Sequence, residues 1–377
     1  MNINSILKKE GITVISELNT LEVDIIAKNV SSKLCLAFPE HNLNRSVLFE
    51  SFSTLKMFIA NMPDNADGAK YFSKNNSIYF SETIPFDNLA DIAMHECIHF
   101  VQEKKDIKGN IISMGLYDMS SGLGINEATV QLMASEANML PISEEKYFDI
   151  SLSTISPDYY PLECSLVNQI AYFTGTYPLY HSALNGNDVF KKTFVTKVGE
   201  KTYNKILKNL DKLLLLESDL SYFISQLNNA EKPREIKLLG ELAAAKKQAI
   251  LALFFATQNI IMKKFFSAEF NCVKTLNDIR EFKQKIYNFK NVIGTTDGYE
   301  FYNRLYREMM ELLQRKHEYI ENHGDISLFY PNNYNSSTAL VVVENTVSAF
   351  SFMNIFFKKL GKLFKHKPVI QSINEVE

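Results

Sequence analysis

Asp91-Ile92-Ala93-Met94-His95-Glu96-Cys97-Ile98-His99-Phe100-Val101-Gln102 carries two histidines four residues apart, with a glutamate directly after the first. On a helix, positions i and i+4 lie one above the other on one face, so His95 and His99 point two imidazoles at one ion. Glu96 sits about 100° around the helix from His95, where it reaches a water on that ion without ligating it. Zinc takes such nitrogens at about 2.0–2.1 Å and needs at least one more protein ligand to make a catalytic site. Cys97 faces away from the ion and reads as a packing residue.

The flanks extend the pattern. Residues 69–82 (A-K-Y-F-S-K-N-N-S-I-Y-F-S-E) place two aromatic and β-branched runs around Lys74-Asn75-Asn76, which predicts a hairpin. Pro85-Phe86-Asp87 predicts a helix start with Asp87 as N-cap, and Lys104-Lys105 predict its end. Leu89, Ile92, Met94, Ile98 and Val101 spread around more than one face, the pattern of a helix buried on several sides. After a Gly- and Ser-containing loop over 114–124, residues 125–138 read as a second helix with Asn126 at its start. Glu127 and Gln131 share a face there, whereas Glu136, nine positions on, points to the opposite side. Glu127 is therefore the candidate third ligand, 28 residues after His99, and Glu136 a surface or second-face charge.

Two His and one Glu leave a fourth position for water, the arrangement of a catalytic rather than a structural zinc. Zinc would lower the pKa of that water towards about 7 and polarise a substrate carbonyl. Glu96 would take the water's proton and pass one to the leaving amine. A developing oxyanion also wants a donor, and Tyr177, Tyr180 and His181 are the candidates.

His95-Glu96-x-x-His99 followed by Gly124-Ile125-Asn126-Glu127-Ala128 resembles the gluzincin zinc metallopeptidases, the thermolysin-like group. The resemblance covers roughly residues 69–140 and implies Glu127 as the third ligand, delivered by the downstream Asn-Glu-Ala helix. It also implies an acid one turn further on, where this chain has the uncharged Gln131. A metzincin would need Gly at 102 and His at 105, which are Gln102 and Lys105 here. The resemblance implies, too, a strand edging the cleft that holds an extended substrate by its backbone; Ser77, Ile78, Tyr79 and Phe80 are the candidate.

The rest of the chain bounds these expectations. It has 377 residues, 46% of them hydrophobic and 22% charged, with a net charge of -3. That is a soluble globular composition with room for more than one domain and no pull towards nucleic acid. Cys35, Cys97, Cys164 and Cys272 form no C-x-x-C pair, which argues against a disulfide framework or a cysteine zinc knuckle. No signal-peptide apolar run and no charge-free stretch of about 20 apolar residues is present. The expected location is the cytoplasm, with export lacking an N-terminal signal left open.

The expected fold is α+β, a zincin-like core with a small antiparallel or mixed sheet and active-site helices, followed by an all-α region. Residues 1–60 form an α+β entry segment, with 47–60 helical in periodicity and His41 in a surface loop. Residues 61–216 form the catalytic domain, opening on a turn-rich stretch over 62–68 and containing a loop over 140–161 and helices thereafter. Residues 217–330 form a helical bundle in which 235–266 is one long helix. His317 and His323 lie six apart, about 120° around a helix, which does not suit a shared ion. Residues 331–377 hold an Asn-rich linker and a basic amphipathic helix. In it Lys358, Lys359, Lys362, Lys365 and Lys367 suit a membrane surface or a partner groove through residues 340–367. The function expected from these features is zinc-dependent peptide hydrolysis. The alternative is a non-catalytic zincin-like zinc-binding module whose helical half binds a partner or a membrane. An intact Glu96 favours the former, since a binding site needs no base.

Overall fold

Mixed α and β elements make up the chain in the computed structural model, which describes residues 3–63, 68–294 and 299–323. They divide into two units. One comprises Met1–Ser143, Thr154–Val167 and Thr174–Lys192. The other takes Glu144–Ser153, Asn168–Phe173 and the described residues from Thr193 onward.

The first unit begins with α1 (Ile3–Lys9), β1 (Thr13–Glu17), α2 (Thr20–Ala37), α3 (Arg45–Ser53), β2 (Lys56–Asn61), β3 (Ala69–Phe72) and β4 (Ser77–Ser81). Helix α2 starts in a capping box between Asn19 and Glu22, and α3 starts where the Asn44 side chain accepts from two amides. The strands form one sheet in the order β1-β2-β4-β3. β2 runs antiparallel to β1 and parallel to β4, and β3 closes the predicted hairpin against β4. One face of the sheet is covered through Leu7, Ile12, Ala60 and Tyr79.

Helix α4 (Leu89–Gln102) contacts β3 and β4, and is followed by the hairpin β5 (Glu103–Lys105) and β6 (Ile111–Met114). Then comes α5 (Leu123–Ala137). α4 and α5 lie antiparallel, joined at three levels. Asn126 Nδ2 donates to Gln102 Oε1 at 3.2 Å, Gln131 Oε1 lies 2.9 Å from His95 Nδ1, and Asn138 Nδ2 donates to the Asp91 carbonyl at 2.9 Å.

Beyond α5 lie the hairpin β7 (Ser143–Tyr147) and β8 (Ile150–Thr154), then α6 (Pro161–Thr174), α7 (Thr176–Asn185) and α8 (Val189–Val198). The second unit is built mainly of α9 (Glu200–Asn228), α10 (Pro233–Cys272), α11 (Leu276–Asn288) and α12 (Tyr299–His323). Proline at the start of α10 and a Thr275–Asp278 capping box on α11 set two of these boundaries. The packing is aromatic, with Phe173 stacked on Phe265 and Phe266 edge-on to Phe289. Among the described residues, α10 is long and apolar enough to cross a membrane, and more than half of its most apolar window is buried. A core helix meets the same criterion.

Several sequence expectations need correction. Residues 47–60 are not one helix: α3 stops at Ser53 and K-M-F-I-A-N becomes β2, drawn into the sheet by β1 and β4 on its two sides. α4 ends at Gln102, close to the expected Lys104-Lys105, but the two lysines lie in β5 and not in its last turn; the Gln102 carbonyl is taken by the Gly115 amide. Asp87 lies in a short 3-10 turn, and the residue before α4 is Asn88, which makes no side-chain cap. Residues 140–161 contain a hairpin, with Ile150, Leu152 and Thr154 buried in alternation. The sequence boundary at 216/217 falls inside α9. Residues 64–67 of the turn-rich stretch, the Asn-rich linker and the basic segment over 340–367 lie outside the described residues.

The junction between α4 and α5 leaves no room at Gly115. A Cβ there would stand 2.5 Å from Asn126 Oδ1 and 2.7 Å from the Gln102 amide, and φ is +57°. Gly115→Ala should therefore cost about 1–3 kcal/mol of stability, read as a lower urea midpoint. An unchanged midpoint would show that the junction gives way freely.

Candidate metal centre

Three ligand atoms converge where α4 crosses α5. His95 Nε2 lies 3.4 Å and His99 Nε2 3.3 Å from Glu127 Oε2, and the two Nε2 atoms are 2.9 Å apart. Ligand atoms about 2.0–2.1 Å from a tetrahedral zinc stand roughly 3.3 Å from one another. The donor set therefore fits such an ion in type, number and spacing. Among the described residues this is the group of His, Cys, Asp and Glu atoms close enough together to hold a metal. The side chains are 8–15% exposed, so the site is enclosed yet open to solvent.

The electrostatics are those of a site that favours a cation. Burial opposes the charge of Glu127, but His99 and His95 override it and hold the carboxyl well below the usual carboxylate range. Burial likewise opposes charge on His95, yet Glu127 and Glu96 outweigh it and push the imidazole up to about 9. On the far side of the His95 ring, Nδ1–H donates to Gln131 Oε1, which leaves Nε2 turned to the ligand cluster. Gln131 Nε2 in turn donates to Ser135 Oγ at 3.3 Å. His99 Nδ1 is buried without a hydrogen-bond partner among the described residues.

Glu96 lies outside the ligand triad. Its Oε2 accepts from the Tyr71 backbone N–H of β3 at 2.8 Å, so the acid is held against the sheet. That bond also corrects the edge strand. β4, with Ser77, Ile78, Tyr79 and Phe80, is an interior strand whose first four residues are buried, and β3 is the edge. The Tyr71 N–H points away from β4, and by the alternation of an antiparallel pair Ala69 presents its backbone on the same free side.

The three proposed oxyanion donors sit elsewhere in the unit. Tyr180 Oη donates to Glu136 Oε1 at 2.6 Å, on the face of α5 opposite Glu127. Tyr177 lies near-parallel to His41 at 4.9 Å and to His181 at 5.3 Å, with the two imidazoles 6.0 Å from each other. The residue beside the metal ligands is Tyr160, whose ring centre lies 6.1 Å from that of His95. Its φ is +52°, a conformation that costs an ordinary side chain about 1–3 kcal/mol. The loop is stitched in place: the Ser156 hydroxyl donates to the Tyr159 carbonyl, and Tyr159 Oη accepts from the Gly68 amide. The signal in the sequence was Tyr160 directly before Pro161 at a helix start, a junction that excludes helical backbone for the tyrosine.

His41 is not a loop residue. Its side chain is fully buried, both nitrogens lack a hydrogen bond among the described residues, and Glu40 Oε1 lies 3.4 Å from Nε2. Burial lowers its pKa, Glu40 raising it and His181 lowering it further. The unfolded chain then binds a proton at higher pH than the folded one. Stability is lost as pH falls below about 6.5. The unfolding free energy should decline more steeply from about pH 7 to about pH 5 in the wild type than in His41→Phe. Parallel pH profiles would contradict this account of His41.

The chain matches no protein-family model, and no curated protein or solved structure is similar to it.

Proposed function

We propose that the chain is a zinc-dependent metallopeptidase with a zincin-like core, of the gluzincin type that its motifs resemble. The observation that carries this reading is the convergence of His95, His99 and Glu127 with a fourth, non-ligating acid, Glu96, beside them. A purely structural zinc needs no acid poised beside its ligands.

His95, His99 and Glu127 would hold the ion. Bound zinc supplies the acidity that makes a neutral-pH nucleophile of water and polarises the scissile carbonyl. Glu96, held by the Tyr71 N–H, takes the proton of the attacking water and delivers it to the departing amine nitrogen. Because one oxygen of Glu96 is held by the strand, the carboxylate has a fixed direction relative to β3. The substrate lies extended beside β3, bonded to the free backbone groups of Ala69. Tyr160, fixed next to His95 by its loop, donates to the oxyanion that forms as water adds.

The purified chain should contain about one zinc and cleave members of a peptide library. Glu96→Gln should keep the zinc and lose roughly 10²–10⁴-fold in turnover. Stoichiometric zinc without cleavage of any peptide would point to the binding-module alternative. Tyr160→Phe should lower kcat by roughly 10²–10³-fold with KM little changed; an undiminished kcat removes Tyr160 from the mechanism.

A further inference from the structure

Resting on the metal centre of that reading, we propose that the site is built for an exchangeable zinc, with Gln131 as the positioning residue that orients His95 without the donor strength a carboxylate would add. A metal-bound histidine commonly donates its second nitrogen to a carboxylate, which orients the ring and raises its basicity. Neither imidazole has that support here. His95 Nδ1–H meets the uncharged Oε1 of Gln131 at 2.9 Å, and the Gln131 amide is itself held by Ser135 Oγ. Gln131 and Ser135 are both buried, so the contact is part of the helix packing and not a surface accident. His99 Nδ1 has no hydrogen-bond partner among the described residues at all.

The consequence follows from the strength of each bond. A hydrogen bond to a carboxylate is about twice as strong as one to a neutral amide oxygen. It also leaves more electron density on the ligating nitrogen. An amide in this place orients the ring as well as an acid does, but it returns less donor strength to the ion. The geometry thus separates two tasks that a carboxylate performs together: it keeps the ligand aligned while lowering affinity. A centre of this kind fills and empties with the supply of free zinc, and peptide cleavage would follow that supply.

The test is zinc binding to the metal-stripped full chain, measured by competition with a chromophoric chelator, with zinc alone as the probe. Gln131→Glu should bind zinc roughly 10–100-fold more tightly than the wild type, and release it to excess chelator correspondingly more slowly. Gln131→Met, uncharged and of similar length, should bind roughly 10–100-fold more weakly because the ring loses its orienting acceptor. Near-ultraviolet circular dichroism of the apo proteins checks that each is folded. If the buried charge of Gln131→Glu prevents folding, the methionine variant decides alone. Dissociation constants within about two-fold of the wild type in every folded variant overturn the proposal, as does the reverse order. A wild type that takes up no zinc overturns the metal centre itself, a separate failure seen before any variant is compared.

Discussion

The register of α4 against α5 is the constraint on which the candidate site depends. Two buried amides, Gln102 and Asn126, meet at one end of the crossing, and Asn138 reaches the Asp91 carbonyl at the other. Between these clamps, Gln131 faces His95 and Glu127 faces both histidines. Moving α5 by one residue would turn its side chains by about 100° and carry Glu127 away from the imidazoles. Buried amides are costly unless paired, so the Asn126–Gln102 bond made in this register opposes neighbouring registers, even with Gln102 Nε2 left without a partner among the described residues. The Asn126 oxygen adds a bond from the Leu116 amide, which ties the loop between the helices to the same point. The space for that loop exists because residue 115 has no side chain.

A second constraint joins the helix pair to the sheet. Glu96 and His95 are neighbours in sequence but serve different partners, one turned to β3 and the other to α5. The hydrogen bond from the Tyr71 amide fixes the distance between the α4 acid and the sheet edge. Tyr71 is fixed in turn by its side chain, whose ring packs edge-on to Phe100 on the same helix. Sheet edge, proposed base and ligand cluster are thus held by contacts within a single unit. The free side of β3, which would otherwise be a liability for unwanted strand pairing, is short and lies beside the candidate centre.

Much of this was legible in the sequence, where the information was local or helical. The spacing of His95, His99, Glu127 and Glu136 could be converted to angles, and those angles match the placement of the four side chains. The Lys74-Asn75-Asn76 hairpin was readable from composition. The strand order was not, because no local pattern says that β4, and not its hairpin partner β3, pairs with β2. That order alone decides that β3 is the edge. The strand β8 was visible as alternation in I-S-L-S-T but was outweighed by the prolines and hydroxyls around it. The surroundings of Tyr160 and His41 were invisible for a different reason. One residue owes its position to a loop tied down at the preceding residue, where the distant Gly68 amide donates to Tyr159 Oη. The other owes its burial to a stack on α7 that no local pattern announces.

Comparing the two histidine clusters of the first unit shows what histidine content alone leaves undecided. His95 and His41 are both removed from water, and burial pushes both towards the neutral form. Their outcomes are opposite because of the acids around them. His95 faces Glu127 inside the cluster and Glu96 next to it, and the carboxylates win. His41 has the half-exposed Glu40, whose pull is screened by water, and a second imidazole that repels its charge. An enclosed pair of imidazoles therefore becomes a cation-favouring centre when carboxylates are buried with it, and a neutral packing element when they are left at the surface. Only the first arrangement gives a divalent ion a net electrostatic reason to bind.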